Sequence, residues 1–246
     1  MFYYIGLDLG QSQDYTALAV LETQLWTGPL VDWADFGVFF PEGVEPGGWV
    51  SPSAVGPLYA ERILAINAAY GVGPLAGDVP VAVRHLQRFE LGTKYTDIVR
   101  SVRGLLLREP FMGRMLYTRL LVDRTGAGAG VVDSFYEHGV RPISVTIHGG
   151  SAVTWEPADL GYRVPKRDLV AAVQVLLQNG RLKIAPEMEL APVLKKELMN
   201  FRVKIDPRTA HDSYEHWREG DHDDLVLATA LACWFGEYCR KWEAVA

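Results

Sequence analysis

Cysteine is almost missing from this sequence: two residues in 246, Cys233 and Cys239, both near the C-terminus. That excludes a disulfide scaffold and a cysteine-rich zinc site, and it suits a reducing compartment. No run approaches the roughly 18 consecutive apolar residues of a membrane span. The opening Met1-Phe2-Tyr3-Tyr4-Ile5-Gly6-Leu7-Asp8 has no basic lead and meets an aspartate at once, so it is not expected to be a secretory signal. Positive charge is scarce in the first third. Residues 1–83 hold one basic residue, Arg62, against nine acidic ones. There is no internal repeat and no low-complexity tract. Nowhere does Gly-x-x-x-x-Gly-Lys-Ser/Thr occur, so no Walker-type ATP site can be argued.

What remains is an ordinary globular composition. Apolar residues make up 49%, charged residues 22% and aromatics 11%, which excludes wholesale disorder, collagen and coiled coil. Net charge is 24 − 30 = −6, but its distribution is uneven. Residues 84–124 hold nine basic and four acidic residues, as do residues 163–204, whereas residues 205–246 hold four basic and nine acidic. Two blocks of about +5 flanked by acidic ends suit a phosphate-facing surface around a carboxylate-rich site; patchy charge on an ordinary protein surface reads equally well.

Periodicity predicts strands at Tyr3–Leu9, Thr16–Leu21, Val31–Phe40, Val81–Phe89, Arg114–Val122, Pro142–Ile147 and Arg181–Ala185. It predicts helices at Leu58–Tyr70, Tyr95–Leu107, Val131–Glu137, Arg167–Gln178, Glu187–Phe201 and His222–Trp242. Residues 41–57, 71–80, 148–164 and 205–221 read as loops. Strands first, then alternating helix and strand, predict one α/β domain over residues 1–246, a mixed central sheet with helices on both faces.

Three places carry chemistry. Asp8 interrupts an apolar strand, where an unpaired charge is costly to bury; Asp14 follows six residues on, across a turn. Asp123 closes a strand and is followed by Arg124-Thr125-Gly126-Ala127-Gly128. In open α/β sheets ligands sit at such strand ends. A tight strand–helix turn reads almost as well. Asp221-His222-Asp223-Asp224 opens the last helix; any one of these aspartates suits the helix dipole, but three with a histidine exceed what capping requires. Asp223 and Asp224 point about 100° apart on a helix, so one can face the sheet and the other solvent or a second ion. Together the three places make an oxygen-ligand set suited to Mg²⁺ or Mn²⁺ rather than zinc. Two such ions about 4 Å apart can activate a water and stabilise the leaving oxygen of a phosphodiester.

The ordered set Ile5–Thr16, Val122–Gly128, Val164-Pro165-Lys166-Arg167-Asp168-Leu169-Val170 and His222–Ala228 resembles the C-terminal RNase H-like nuclease domain of tailed-phage terminase large subunits. The resemblance implies an RNase H-like fold and a two-metal DNA endonuclease. It implies Asp8, Asp123 and Asp224 or Asp223 as metal ligands, with Asp14 as an auxiliary acid. His222 would hydrogen-bond a ligand carboxylate. Lys166, Arg167, Arg84, Arg88 and Arg124 are DNA-contact candidates, with Lys94, Arg100 and Arg103 extending the ridge; ordinary solvated charge is the alternative for each. His148 and His211 receive no role, and the tryptophans and both cysteines read as packing residues. Expected partners are double-stranded DNA and a packaging ATPase, small terminase subunit or portal, in the cytoplasm of a host bacterium. Full terminases carry an N-terminal ATPase, so this chain is expected to be an excised domain or a stand-alone phage or prophage product. Two alternatives stand beside the nuclease. One is a catalytically weak or inactive module that binds DNA or a partner. The other is an actin-like ATP-binding protein, since Ile5–Gly10 also resembles the first phosphate loop of that fold.

Overall fold

The computed structural model describes residues 1–10, 14–23, 79–126, 128–156, 161–200 and 223–243, with backbone alone at 115–117, 200 and 239–243. The strands are β1 (Phe2–Asp8), β2 (Ala17–Thr23), β3 (Val81–Arg88), β4 (Thr118–Asp123), β5 (Ile143–His148), β6 (Thr154–Glu156), β7 (Gly161–Pro165) and β8 (Leu182–Ile184). They form one sheet in the order β6-β7-β5-β4-β1-β2-β3-β8. β1 pairs antiparallel with β2, and β2 antiparallel with β3. β1, β4, β5 and β7 are successive parallel neighbours. Their carboxyl ends therefore share one edge of the sheet, together with the β1–β2 turn.

Among the described residues, five helices cover the two faces: α1 (Tyr95–Leu106), α2 (Gly128–Glu137), α3 (Lys166–Gln178), α4 (Ala191–Asn200) and α5 (Asp224–Glu243). The alternation of β1 sorts them. Tyr3, Ile5 and Leu7 join Ile98 and Val102 of α1 and Val131 and Phe135 of α2 in one core cluster. Phe2 and Tyr4 join Leu169 of α3, Leu194 of α4 and Leu231 of α5 in the other. A sheet with helices on both faces must be apolar on both, which is why β1 reads as a nearly continuous apolar run.

The α5 contact is unusually close. A Cβ on Gly6 would lie 1.9 Å from the carbonyl oxygen of Ala228, and one on Gly236 would lie 3.2 Å from the Tyr4 ring. Ala228, Ala232 and Gly236 are spaced by four and present one small-residue stripe to β1. Moving from Tyr4 to Gly6 on the strand moves from Gly236 back towards Ala228 on the helix, so the two run antiparallel. Two strand residues advance about 6.7 Å and four helical residues about 6 Å. The antiparallel run puts the Asp224 end of α5 over the Asp8 end of β1.

Some expectations shift. The segment expected as strand from Arg114 is a 3-10 turn over Met112–Tyr117, and β4 starts at Thr118. Residues 148–164, expected as loop, contain β6 and β7. Gly161 lets β7 lie against β5, since a Cβ there would sit 2.0 Å from the Ser144 hydroxyl. The fourth helix starts at Ala191, four residues later than its apolar pattern suggests, and the last at Asp224. The strand at 31–40 and the helix at 58–70 lie outside the described residues, as do the loops at 41–57 and 205–221. Trp234 and Cys233 are buried as expected, and burial pushes the Cys233 thiol well above its ordinary range. Among the described residues no helix is long and apolar enough to cross a membrane.

Candidate active site at the carboxyl edge of the sheet

Asp8 and Asp123 end adjacent parallel strands. Leu7 pairs with Val122, so the two aspartates are the next pair in register. Leu121 belongs to the core cluster on the α5 side, and Asp123, two residues on, points the same way. Asp224 opens α5 above them. All three carboxylates are buried, at 7%, 6% and 3% exposure. Three buried acids from three elements on one sheet face repel one another, which nearby positive charge or proton uptake must offset.

The Asp123 turn is built around that carboxylate. The Thr125 N–H donates to Asp123 Oδ1 at 2.8 Å, and the Ile147 N–H donates to the Thr125 hydroxyl at 3.0 Å, tying the turn to β5. Gly126 has φ +70°, and a Cβ on Gly128 would lie 2.3 Å from the Asp123 carbonyl oxygen. The described residues at the facing ends of β1 and β2 are also tied together. The Gly10 N–H donates to the Thr16 hydroxyl at 3.1 Å, and the Tyr95 hydroxyl donates to the Gly10 carbonyl at 2.9 Å. Asp14, between the two strands in the chain, sits half-buried on the same edge.

The neighbouring cations come from both sides. Lys166, the first residue of α3, is buried rather than solvated, and its Nζ lies 3.7 Å from Asp223. Arg88 closes β3, with Nη2 against Glu197 and 3.4 Å from Asp224 Oδ2, and its guanidinium lies 4.8 Å from the centre of the Tyr15 ring. A bulge aims it there. Val20 pairs with His85 and Leu21 with Val83, leaving Arg84 as the extra residue. Val81 and Val83 face the α5 side before the bulge; Leu86 does so after it, and Arg88 follows at the same alternation. Arg84 itself is exposed and ion-paired with Glu22 at 2.7 Å, away from the acidic edge. Arg167 is exposed and donates to the Ser151 carbonyl at 2.6 Å. Arg124 follows Asp123 on the same turn, its N–H donating to the Val145 carbonyl at 2.8 Å. His222 lies outside the described residues.

Glu197 is the residue that sequence reading passed over. It sits in Lys195-Lys196-Glu197, which looks like a solvated face. Its signal is spacing: Ala191, Leu194 and Glu197 recur every third residue on the buried side of α4. Glu197 Oε2 accepts the Val226 N–H at 3.0 Å, satisfying an otherwise orphaned donor in the first turn of α5. Burial pushes its carboxyl up from 4.5 to about 7, and Asp224 and Asp223 add to that, against the Val226 N–H and Arg88. A carboxyl raised on folding stabilises fully below its unfolded value and loses that contribution as pH rises through its folded value. In EDTA, the melting temperature of the parent should fall more steeply between pH 4.5 and about 7 than that of Glu197→Gln. Parallel curves for the two proteins would show that Glu197 does not titrate in this window.

The donor set fits a hard divalent cation in its chemistry, since every candidate ligand is a carboxylate oxygen. Even so, among the described residues no group of three histidine, cysteine, aspartate or glutamate side chains is arranged ready to hold a metal ion.

The order β3-β2-β1-β4-β5, with β2 alone antiparallel, defines an α/β protein of the RNase H-like class. The structure is similar to that of the large terminase nuclease from thermophilic phage G20c, at 17% identity and a TM-score of 0.49, over 94% of this chain and 80% of that one. It is also similar to the human cytomegalovirus terminase nuclease domain, Mn soaked, at 12% identity and a TM-score of 0.42, over 95% and 82%. No family model and no curated relative matches the sequence.

Proposed function

We propose that this chain is a divalent-metal-dependent DNA endonuclease of the terminase type, folded as one domain over residues 1–246. The observation that carries the reading is the burial of Asp8, Asp123 and Asp224, from three separate elements, on one face at one edge of the sheet. These three would hold Mg²⁺ or Mn²⁺, with Asp223 and Asp14 nearby on the same edge. Bound there, the metal would supply Lewis acidity at a phosphodiester and lower the pKa of water. The chain's own residues do the rest. Lys166 offers a buried ammonium beside Asp223, where it can meet a phosphate oxygen. Arg124 and Arg167 stand at the rim for backbone phosphates. Contacts of this kind read charge and shape, so DNA binding should weaken as salt rises. The protein partners of this reading are a packaging ATPase, a small terminase subunit or a portal, in a bacterial cytoplasm.

Arg88 favours a second reading. A guanidinium seated on Asp224 also suits a module that binds DNA or a partner without cutting. Incubation of supercoiled plasmid with Mn²⁺, Mg²⁺ or EDTA separates the two. Nicking and linearisation with metal and none with EDTA support the nuclease. A folded protein that binds DNA but leaves it intact under every condition supports the module.

A further inference from the structure

Arg88 stands against one of the three buried aspartates. One nitrogen, Nη2, touches Glu197 and lies 3.4 Å from Asp224 Oδ2. The bulge at Arg84 puts the side chain on this face, and Tyr15 flanks its guanidinium. The other arm of Glu197 is bound to the Val226 N–H, so the carboxylate that anchors Arg88 is fixed to the same helix that carries Asp224. We propose that Arg88 is a resident counter-ion: it neutralises Asp224 when no metal is bound and yields that carboxylate to an incoming divalent cation, staying anchored on Glu197.

This inference rests on the metal-dependent reading and adds how the metal is admitted. The three aspartates are buried and offer the oxygen chemistry of a hard-cation site. A side-chain cation already sits against one ligand, and like charges oppose its sharing that oxygen with a metal ion. Glu197 makes the exchange short. Arg88 leaves Asp224 while keeping its contact with Glu197, so the guanidinium is not stranded without a partner.

Manganese binding by the full chain tests this, with free Mn²⁺ counted by electron paramagnetic resonance. Arg88→Gln should bind Mn²⁺ about tenfold more tightly than the parent, the lower end of what one neighbouring charge does to an ionic equilibrium. Arg88→Lys, which keeps the charge but not the fork, should bind Mn²⁺ less tightly than Arg88→Gln does. A folded Arg88→Gln that binds no more tightly, while the parent binds, overturns the counter-ion and leaves the metal reading standing. No binding by parent or variant overturns both. Should Arg88→Gln not fold, the parent answers alone through its arginine side-chain ¹⁵N resonances. The Arg88 signal should move on adding Mg²⁺, and a signal unmoved at saturation would equally reject the exchange.

Discussion

Asp123→Asn is expected to remove metal-dependent plasmid cleavage while leaving the protein folded. The substitution changes charge and little else. Asparagine keeps an oxygen to accept the Thr125 N–H now held at 2.8 Å, so the turn after β4 keeps its shape. One buried negative charge disappears from beside Asp8, which relieves repulsion, so the melting temperature should hold or rise. What is lost is one anionic ligand of the proposed metal. If the metal contributes several kcal/mol at the transition state, the cleavage rate should fall by about 10³-fold or more. Single-turnover nicking rates in Mn²⁺, beside melting curves in EDTA, measure both quantities. A variant that nicks at the parent rate would remove Asp123 from the centre and with it most of the case for a nuclease at this edge.

Gly6→Ala should be among the most damaging single-methyl changes in the chain. The added Cβ would lie 1.9 Å from the Ala228 carbonyl oxygen and 3.3 Å from the Ala232 nitrogen. Both are backbone atoms of a buried helix, so no side chain can swing aside. Either α5 lifts from β1 or the strand shifts, and an overpacked core of this kind costs about 3 kcal/mol or more. Because Gly6 sets how closely α5, which carries Asp224, seats on the strand that carries Asp8, the proposed metal binding should weaken together with stability. Gly104→Ala is the control: nothing lies within 4 Å of its new Cβ, and alanine in a helix should gain about 0.8 kcal/mol. Urea midpoints for the two variants should move in opposite directions. A Gly6→Ala protein as stable as the parent would mean that β1 and α5 do not pack as closely as described.

Much of the fold was legible because it rests on local rules. Alternation and apolar runs mark β1, β2 and β3, and helical spacing marks α1 and α3. The failures have physical causes. Residues 148–164 carry turn-forming glycine, serine and proline, so β6 and β7, three and five residues long, are too short to impose a period. The segment from Arg114 to Tyr117 has strand-like residues but turns, because the chain must first climb to the level at which Thr118 pairs with Tyr3. Lys166 looked like a solvated helix start, whereas the fold buries it with its Nζ 3.7 Å from Asp223.

The sequence by itself determined the α/β class, the mixed sheet and the three acidic positions, since an aspartate in an apolar strand or before an apolar helix stands out against its neighbours. Only the tertiary structure decided which charges oppose those acids. Glu197 lies more than 100 positions from Arg88 in the chain and 27 from Asp224. A bulge of one residue in β3 turns Arg88 towards them, and local sequence does not encode that choice of face. Electrostatic partnership acts through space within a few ångströms, and the chain reaches those distances only once the sheet, α4 and α5 have packed.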